Sequence, residues 1–176
     1  LPELRAASPR VVEQTVSGVQ LVQELGALAG RLLFSALVIS TLTRRRLLRV
    51  FLVPALAAFS WLYFSAAIQS LAQAAAAMFA ASLAFNALLS FWGNYLPRMY
   101  PTYLRATGES FAVNIGGRVI GTSAALVTTQ LAGVMPGAGN AVPLAYAAGS
   151  VALAACVLGL IGSLWLQEPE GSRLPD

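Results

Sequence analysis

The sequence predicts an all-α fold, a polytopic transmembrane bundle of about five helices, on three observations. First, 57% of the 176 residues are hydrophobic and 10% charged, with a mean hydropathy of +0.71. A soluble domain of this size has no room to bury that much apolar side chain, so lipid has to be its solvent. Second, apolar stretches of about 20 residues, the length that crosses a hydrocarbon core of about 30 Å, recur between short polar breaks. Third, the arginines of the connecting segments fall in alternate loops, as expected for a chain that crosses a membrane repeatedly.

The elements follow in order. Residues 1–17 hold Pro2, Pro9 and the balanced charges Glu3, Arg5, Arg10 and Glu13, and read as an extracytoplasmic loop or helix lead-in. Span A is expected over 18–42; it carries Gln23, Glu24 and Arg31 and is closed by Arg44, Arg45, Arg46 and Arg49. Span B is expected over 47–68, with Pro54 inside it, which a membrane helix tolerates when neighbours satisfy the freed carbonyl. Gln69 and Ser70 allow a tight turn into span C, 71–96, where Ala72 and Ala74 to Ala77 permit close helix approach. Trp92, Tyr95 and Pro97 end it as an interfacial group. Residues 98–108, with Pro101 and Arg105, form a polar interruption in water. Span D, 109–134, is rich in small residues, among them Gly116, Gly117, Gly121, Thr122, Ser123 and Ala124. An uncharged turn, 135–143, leads to span E, 144–165, which stops at Glu168, Pro169 and Glu170. The transmembrane bundle is thus expected over 18–166, with 167–176 as a tail.

The loops after spans A and C carry Arg44, Arg45, Arg46, Arg49, Arg98 and Arg105, whereas the turns after B and D carry none. By the positive-inside rule the arginine loops and the C-terminus are cytoplasmic. The chain has no histidine, which removes imidazole triads, metal sites and proton relays. Its single Cys156 lies in an apolar run, so neither a disulfide framework nor metal-ligand spacing exists and no cofactor is implied. The net charge of +4 comes from arginines at helix ends or inside spans, with no lysine, which argues against nucleic acid as a partner. An enzyme is not expected, because the groups that covalent chemistry requires are nearly absent. The chain opens on Leu1 without methionine or a basic leader, and a fragment is the expectation.

A few residues carry the functional expectations. Counting 13 residues from Arg44 puts Arg31 about 20 Å from the helix end, where an arginine is costly and faces a cavity or a partner. It is either a fixed positive charge for an anionic substrate group or the partner of Glu24, seven residues away. Arg118, nine residues beyond Glu109, is a similar case about 14 Å into span D, with glycines beside it that let another backbone approach. Glu24 is the one acidic residue inside a span and the proton-coupling candidate, unless Arg31 keeps it ionised. Asn86, Asn114, Thr128, Thr129 and Gln130 either line a hydrophilic path or hold helices together. Arg105 and Glu109 are spaced for an ion pair at the start of span D. Phe91, Trp92 and Tyr95 are expected in an interface belt rather than as a sugar-stacking platform.

A helix ending in RRR, then two spans, then YPTYLRATG leading into a glycine-rich helix with GGR resembles the C-terminal half of a major facilitator superfamily transporter. The likeness is to the bacterial sugar and organic-acid proton symporters. In that family a P-T-x-x-R-A-x-G element lies between the tenth and eleventh helices, and here it is Pro101, Thr102, Arg105, Ala106 and Gly108. The family's G-x-x-x-D-x-x-G-R-R loop falls on Ala36, Ser40, Thr43, Arg44 and Arg45, with both glycines and the aspartate replaced. The resemblance covers the chain after residue 17 and implies that spans A to E are helices eight to twelve. It implies that helix seven and the N-terminal half are missing partners of this chain. It further implies alternating-access transport of a small-molecule substrate across a bacterial inner membrane. Arg31 and Arg118 would then meet near one cavity, with Arg44, Arg45, Arg105 and Glu109 as a cytoplasmic gate. The rival expectation is a non-transporting membrane subunit or assembly module whose buried charges pair structurally.

Overall fold

Local chemistry sets where the helices begin. In the computed structural model, which describes residues 8–39, 43–65, 70–137 and 141–168, α1 (Pro9–Val38) starts on a proline, whose fixed φ suits the first turn and whose missing N–H leaves nothing unpaired. α2 (Arg44–Phe64) is capped by Thr43, whose hydroxyl accepts from the Arg46 N–H at 3.4 Å. α3 (Leu71–Tyr95) opens with a capping box: the Ser70 hydroxyl accepts from the Gln73 N–H and the Gln73 side chain accepts from the Ser70 N–H, both at 3.3 Å. Pro97 ends α3 in a 3-10 turn, Leu96–Arg98. α4 (Arg105–Ala132) and α5 (Ala141–Gly162) complete the chain. The turn between them contains Gly137 at φ +149°, a conformation that side chains rarely adopt.

All five helices are long and apolar enough to cross a membrane, and the chain is a multi-pass membrane protein. The helix boundaries differ from the expected spans: α2 begins at Arg44 instead of residue 47, α5 covers Ala141–Gly162 instead of 144–165 and takes 141–143 from the expected turn, and α1 and α4 begin earlier still. α1 begins at Pro9 instead of residue 18, because no breaker interrupts the polar lead-in and the helix simply continues through it. α4 begins at Arg105 instead of residue 109, with Gly108 in its first turn under the Tyr100 ring, where a Cβ would meet Cδ1 at 2.6 Å. The expected ends of spans A and B, residues 138–140 and the tail beyond 168 lie outside the described residues.

The helices pack in the order α1 on α3, α3 on α2, α2 on α5 and α5 on α4. α2 lies at the centre and buries Leu47, Leu48, Phe51, Leu52, Ala55 and Ala58, a single helical face. Phe34 of α1 inserts between Phe51 and Phe91, with ring centroids 6.0 and 6.5 Å away. Phe91 and Tyr95 are therefore core residues, stacked at 5.5 Å and 1% and 6% exposed, which corrects the expected interface belt. Trp92 alone of the three is exposed. Their spacing explains this: residues 91 and 95 share the face that α3 turns toward α2, and residue 92 lies 100° away.

Two features shape the flanks. On α1, Gly26 and Gly30 abut the backbone of α3 at Phe79 and Leu83. Leu21, Leu25, Leu28 and Leu32 form an exposed apolar stripe beside them, suited to lipid contact. On α4 no residue is buried, and added Cβ atoms at Gly116, Gly117 and Gly121 would meet nothing within 4 Å. Among the described residues no other helix backbone abuts these three glycines.

The ends of the bundle are distinct. Tyr95 of α3 and Arg45 of α2 both bond the segment after α5, so these termini share one end with the arginines. At the opposite end Phe64 stacks on Tyr146 with centroids 5.7 Å apart. Cysteines replacing the exposed Arg46 and Val134 are accordingly expected to react with an impermeant thiol reagent from opposite sides of the membrane. Labelling of both from one side would contradict this topology.

Candidate functional site

Arg31 and Asn86 form the one polar contact between α1 and α3 among the described side chains. The Arg31 Nη2 donates to Asn86 Oδ1 at 3.2 Å. Asn86 is 9% exposed and is held in place from its own helix, since its Nδ2 donates to the Ser82 carbonyl at 3.0 Å and to the Ser82 hydroxyl at 3.4 Å. The amide oxygen is thereby aimed at the guanidinium, which is why the orientation is fixed before any ligand arrives. The Arg31 side chain itself is exposed in this chain, with Asn86 as its bonded partner. An arginine has five donors, so most of its bonding capacity remains open.

Asn86 also lines a cleft of about 430 Å³ with Gln23, Tyr63 and Ser82 as its other polar groups. This cleft joins an apolar one of about 330 Å³ at Phe59, Phe85 and Ala152, and a third of about 410 Å³ at Gln23, Leu62 and Met78. The three form a groove along α3 from Thr15 near one end of the bundle to Leu48 and Trp92 near the other. Polar groups occupy its middle section and apolar ones the section next to the arginine end. Such a groove holds a small molecule by an apolar wall and a few fixed polar contacts.

The other expected residues separate. Arg118 donates from Nε to Asn114 Oδ1 at 3.5 Å, and Asn114 donates from Nδ2 to the Ser110 carbonyl at 2.8 Å, so this second Arg–Asn pair lies within α4. α1 packs on α3 while α4 packs on α5, and the expected meeting of Arg31 and Arg118 is not seen among the packed helix pairs. Their depths also shift. Arg31 lies seven residues from the last residue of α1, about 10 Å, and Arg118 lies 13 residues into α4, about 20 Å. Arg31 is shallower and Arg118 deeper than expected because α1 ends at Val38 and α4 begins at Arg105. Glu24 is exposed rather than buried, and the side-chain bond of Arg31 goes to Asn86 instead of Glu24.

At the arginine end, the gate candidates Arg44 and Arg45 act through their backbones. Their N–H groups donate to Glu168 Oε2 and Oε1, each at 2.9 Å. α2 has no acidic residue in its first turn, so a carboxylate from the far end of the chain supplies the missing acceptors at the positive helix end. Arg45 Nε donates to the Leu166 carbonyl at 2.6 Å, Arg49 Nε to the Ser163 hydroxyl at 2.9 Å, and the Tyr95 hydroxyl to the Gln167 carbonyl at 2.8 Å. Residues 163–168 thus strap α5 to the ends of α2 and α3. In the sequence Glu168 reads as a stop signal, and the lack of an acid at the start of α2 is the sign that an acceptor has to come from elsewhere. Arg105 reaches back, donating from Nε to the Pro97 carbonyl at 3.0 Å and from Nη2 to the Thr102 hydroxyl at 3.4 Å. Glu109 follows one turn later, half-buried. No family model, no curated protein and no solved structure matches this chain.

Proposed function

We propose that this chain is the C-terminal half of a secondary transporter of the major facilitator kind, carrying a small organic anion or sugar by proton-coupled alternating access. The observation that carries this reading is the Arg31–Asn86 pair beside a groove with a polar middle. Asn86 links the two: it bonds Arg31, whose open donors suit a carboxylate, and it lines the groove whose Phe59 and Phe85 wall suits an apolar body. No covalent chemistry is involved. Glu24, exposed two turns from Arg31, is the residue proposed to carry the coupled proton. In this reading the N-terminal half of the transporter covers the bare face of α4, where Arg118 and Asn114 stand, and closes the cavity. The arginine end and the C-terminus face the cytoplasm of a bacterial cell, following the arginine asymmetry.

The rival, a non-transporting subunit, is favoured by one observation: Arg31 and Arg118 each already find an asparagine within this chain. Uptake into proteoliposomes separates the two. With the complementary half present, saturable uptake of one member of a panel of organic anions and sugars is expected, driven by an imposed proton gradient. With this chain alone no uptake is expected, because half a cavity leaves its polar wall against lipid. Saturable uptake by the chain alone, or none by the two halves together, would sink the proposal.

A further inference from the structure

Among the described residues the arginine end carries more positive charge than the carboxylates there neutralise. Arg44, Arg45, Arg46, Arg49, Arg98 and Arg105 gather there, and the described carboxylates at that end are Glu168 and Glu109. Glu168 commits both oxygens to the Arg44 and Arg45 amides. Arg45, Arg49 and Arg105 have their guanidinium groups turned onto the Leu166 carbonyl, the Ser163 hydroxyl and the Pro97 carbonyl. Arg44, Arg46 and Arg98 differ: among the described residues no side-chain hydrogen bond holds them. Arg98 and Glu168 both lie close enough to act electrostatically on Arg44, and Arg46 stands in the same first turn of α2, so the three arginines gather at the positive N-terminus of that helix.

The position of the patch says what meets it. Trp92, 40% exposed, and Trp165, 72% exposed, stand at the same end, and indole rings settle at the headgroup level of a bilayer. The arginines therefore lie where lipid phosphates lie. We propose that Arg44, Arg46 and Arg98 form a binding site for the phosphate of an anionic phospholipid headgroup. The Glu168 carboxylate on the α2 amides marks the local preference for an anion and competes with the lipid for the same positive field. This site uses none of the groove residues, and of the gate candidates it shares Arg44 alone.

Quenching of the tryptophans by brominated lipid tests the site in the full chain, reconstituted with Trp61→Phe to silence the indole at the far end. Brominated phosphatidylglycerol is expected to bind about tenfold more tightly than brominated phosphatidylcholine, since each basic residue near an anionic surface contributes roughly fivefold before screening. Replacing Arg44, Arg46 and Arg98 together by glutamine is expected to bring the two lipids within about twofold. Glu168→Gln removes the competing charge and is expected to widen the preference, a change of opposite sign that a merely destabilised fold does not produce. Equal quenching by both lipids in the parent chain overturns the proposal, as does a preference that survives the triple substitution or narrows in Glu168→Gln. Inorganic phosphate at the concentration of the headgroups distinguishes the sources: it is expected to leave the preference unchanged, and loss of the preference would assign the patch to a soluble anion instead.

Discussion

Replacing Gly30 by leucine is expected to separate α1 from α3 and to lower the melting temperature of the chain in detergent by about 6–12 °C or more. A Cβ at Gly30 runs into the carbonyl of Leu83, meeting its carbon at 2.9 Å, and one at Gly26 meets the Phe79 oxygen at 2.5 Å. Both obstacles are backbone atoms of a helix, which cannot rotate aside as a side chain can. Overpacking that flexible side chains absorb already costs about 1–3 kcal/mol, and here the whole of α1 has to move away. Lipid supplies no hydrophobic force to hold it, since association in a bilayer rests on close contact. Phe34 would leave the core with α1, exposing the rings of Phe51 and Phe91. Gly26→Ala is expected to shift the melting in the same direction by less. Gly18→Leu serves as the control, because a Cβ there meets nothing within 4 Å. A Gly30→Leu chain that melts with its parent would show that α1 does not depend on this contact.

That glycine pair was in plain view as GALAG, small residues four apart in span A, yet nothing in the letters says which helix it faces. The existence and number of the helices follow from apolar length alone, which is a local property. Neighbour relations are not local: Arg31 and Asn86 are 55 residues apart, and they meet because α1 packs on α3 and bypasses α2. No periodicity within a span encodes that order. Depth fails for a related reason. Counting from Arg44 assumes a helix that runs to the loop, whereas α1 ends at Val38. The Phe91, Trp92, Tyr95 trio was misread because composition fits a belt, while the spacing of 91 and 95 fits a single buried face. Glu168 shows the opposite case, in which a bare helix start is legible but its distant acceptor, 124 residues away from Arg44, is not.

On the proposed transport function, Arg31→Gln in the chain joined to its complementary half is expected to reduce uptake of an organic anion by about 30-fold or more, the consequence of removing the cationic partner of the bound carboxylate. The change should leave insertion intact, because a charged arginine inside a span opposes insertion more than a neutral glutamine does. It should also leave the groove in shape. Asn86 keeps its bonds to the Ser82 carbonyl and hydroxyl, so its amide stays oriented without the guanidinium. Arg31→Lys then distinguishes charge from geometry. Lysine retains the positive charge but not the planar fork that grips a carboxylate through two parallel bonds, so partial uptake with a raised KM is expected. Asn86→Ala removes the oxygen that steadies Arg31 and should raise KM more than it lowers kcat, as a positioning residue does. Were Arg31 only a structural partner of Asn86, the two substitutions would lower the melting temperature together and leave uptake per folded molecule unchanged. Normal uptake by the Arg31→Gln transporter, with the same KM as the parent, would remove Arg31 from the transport path.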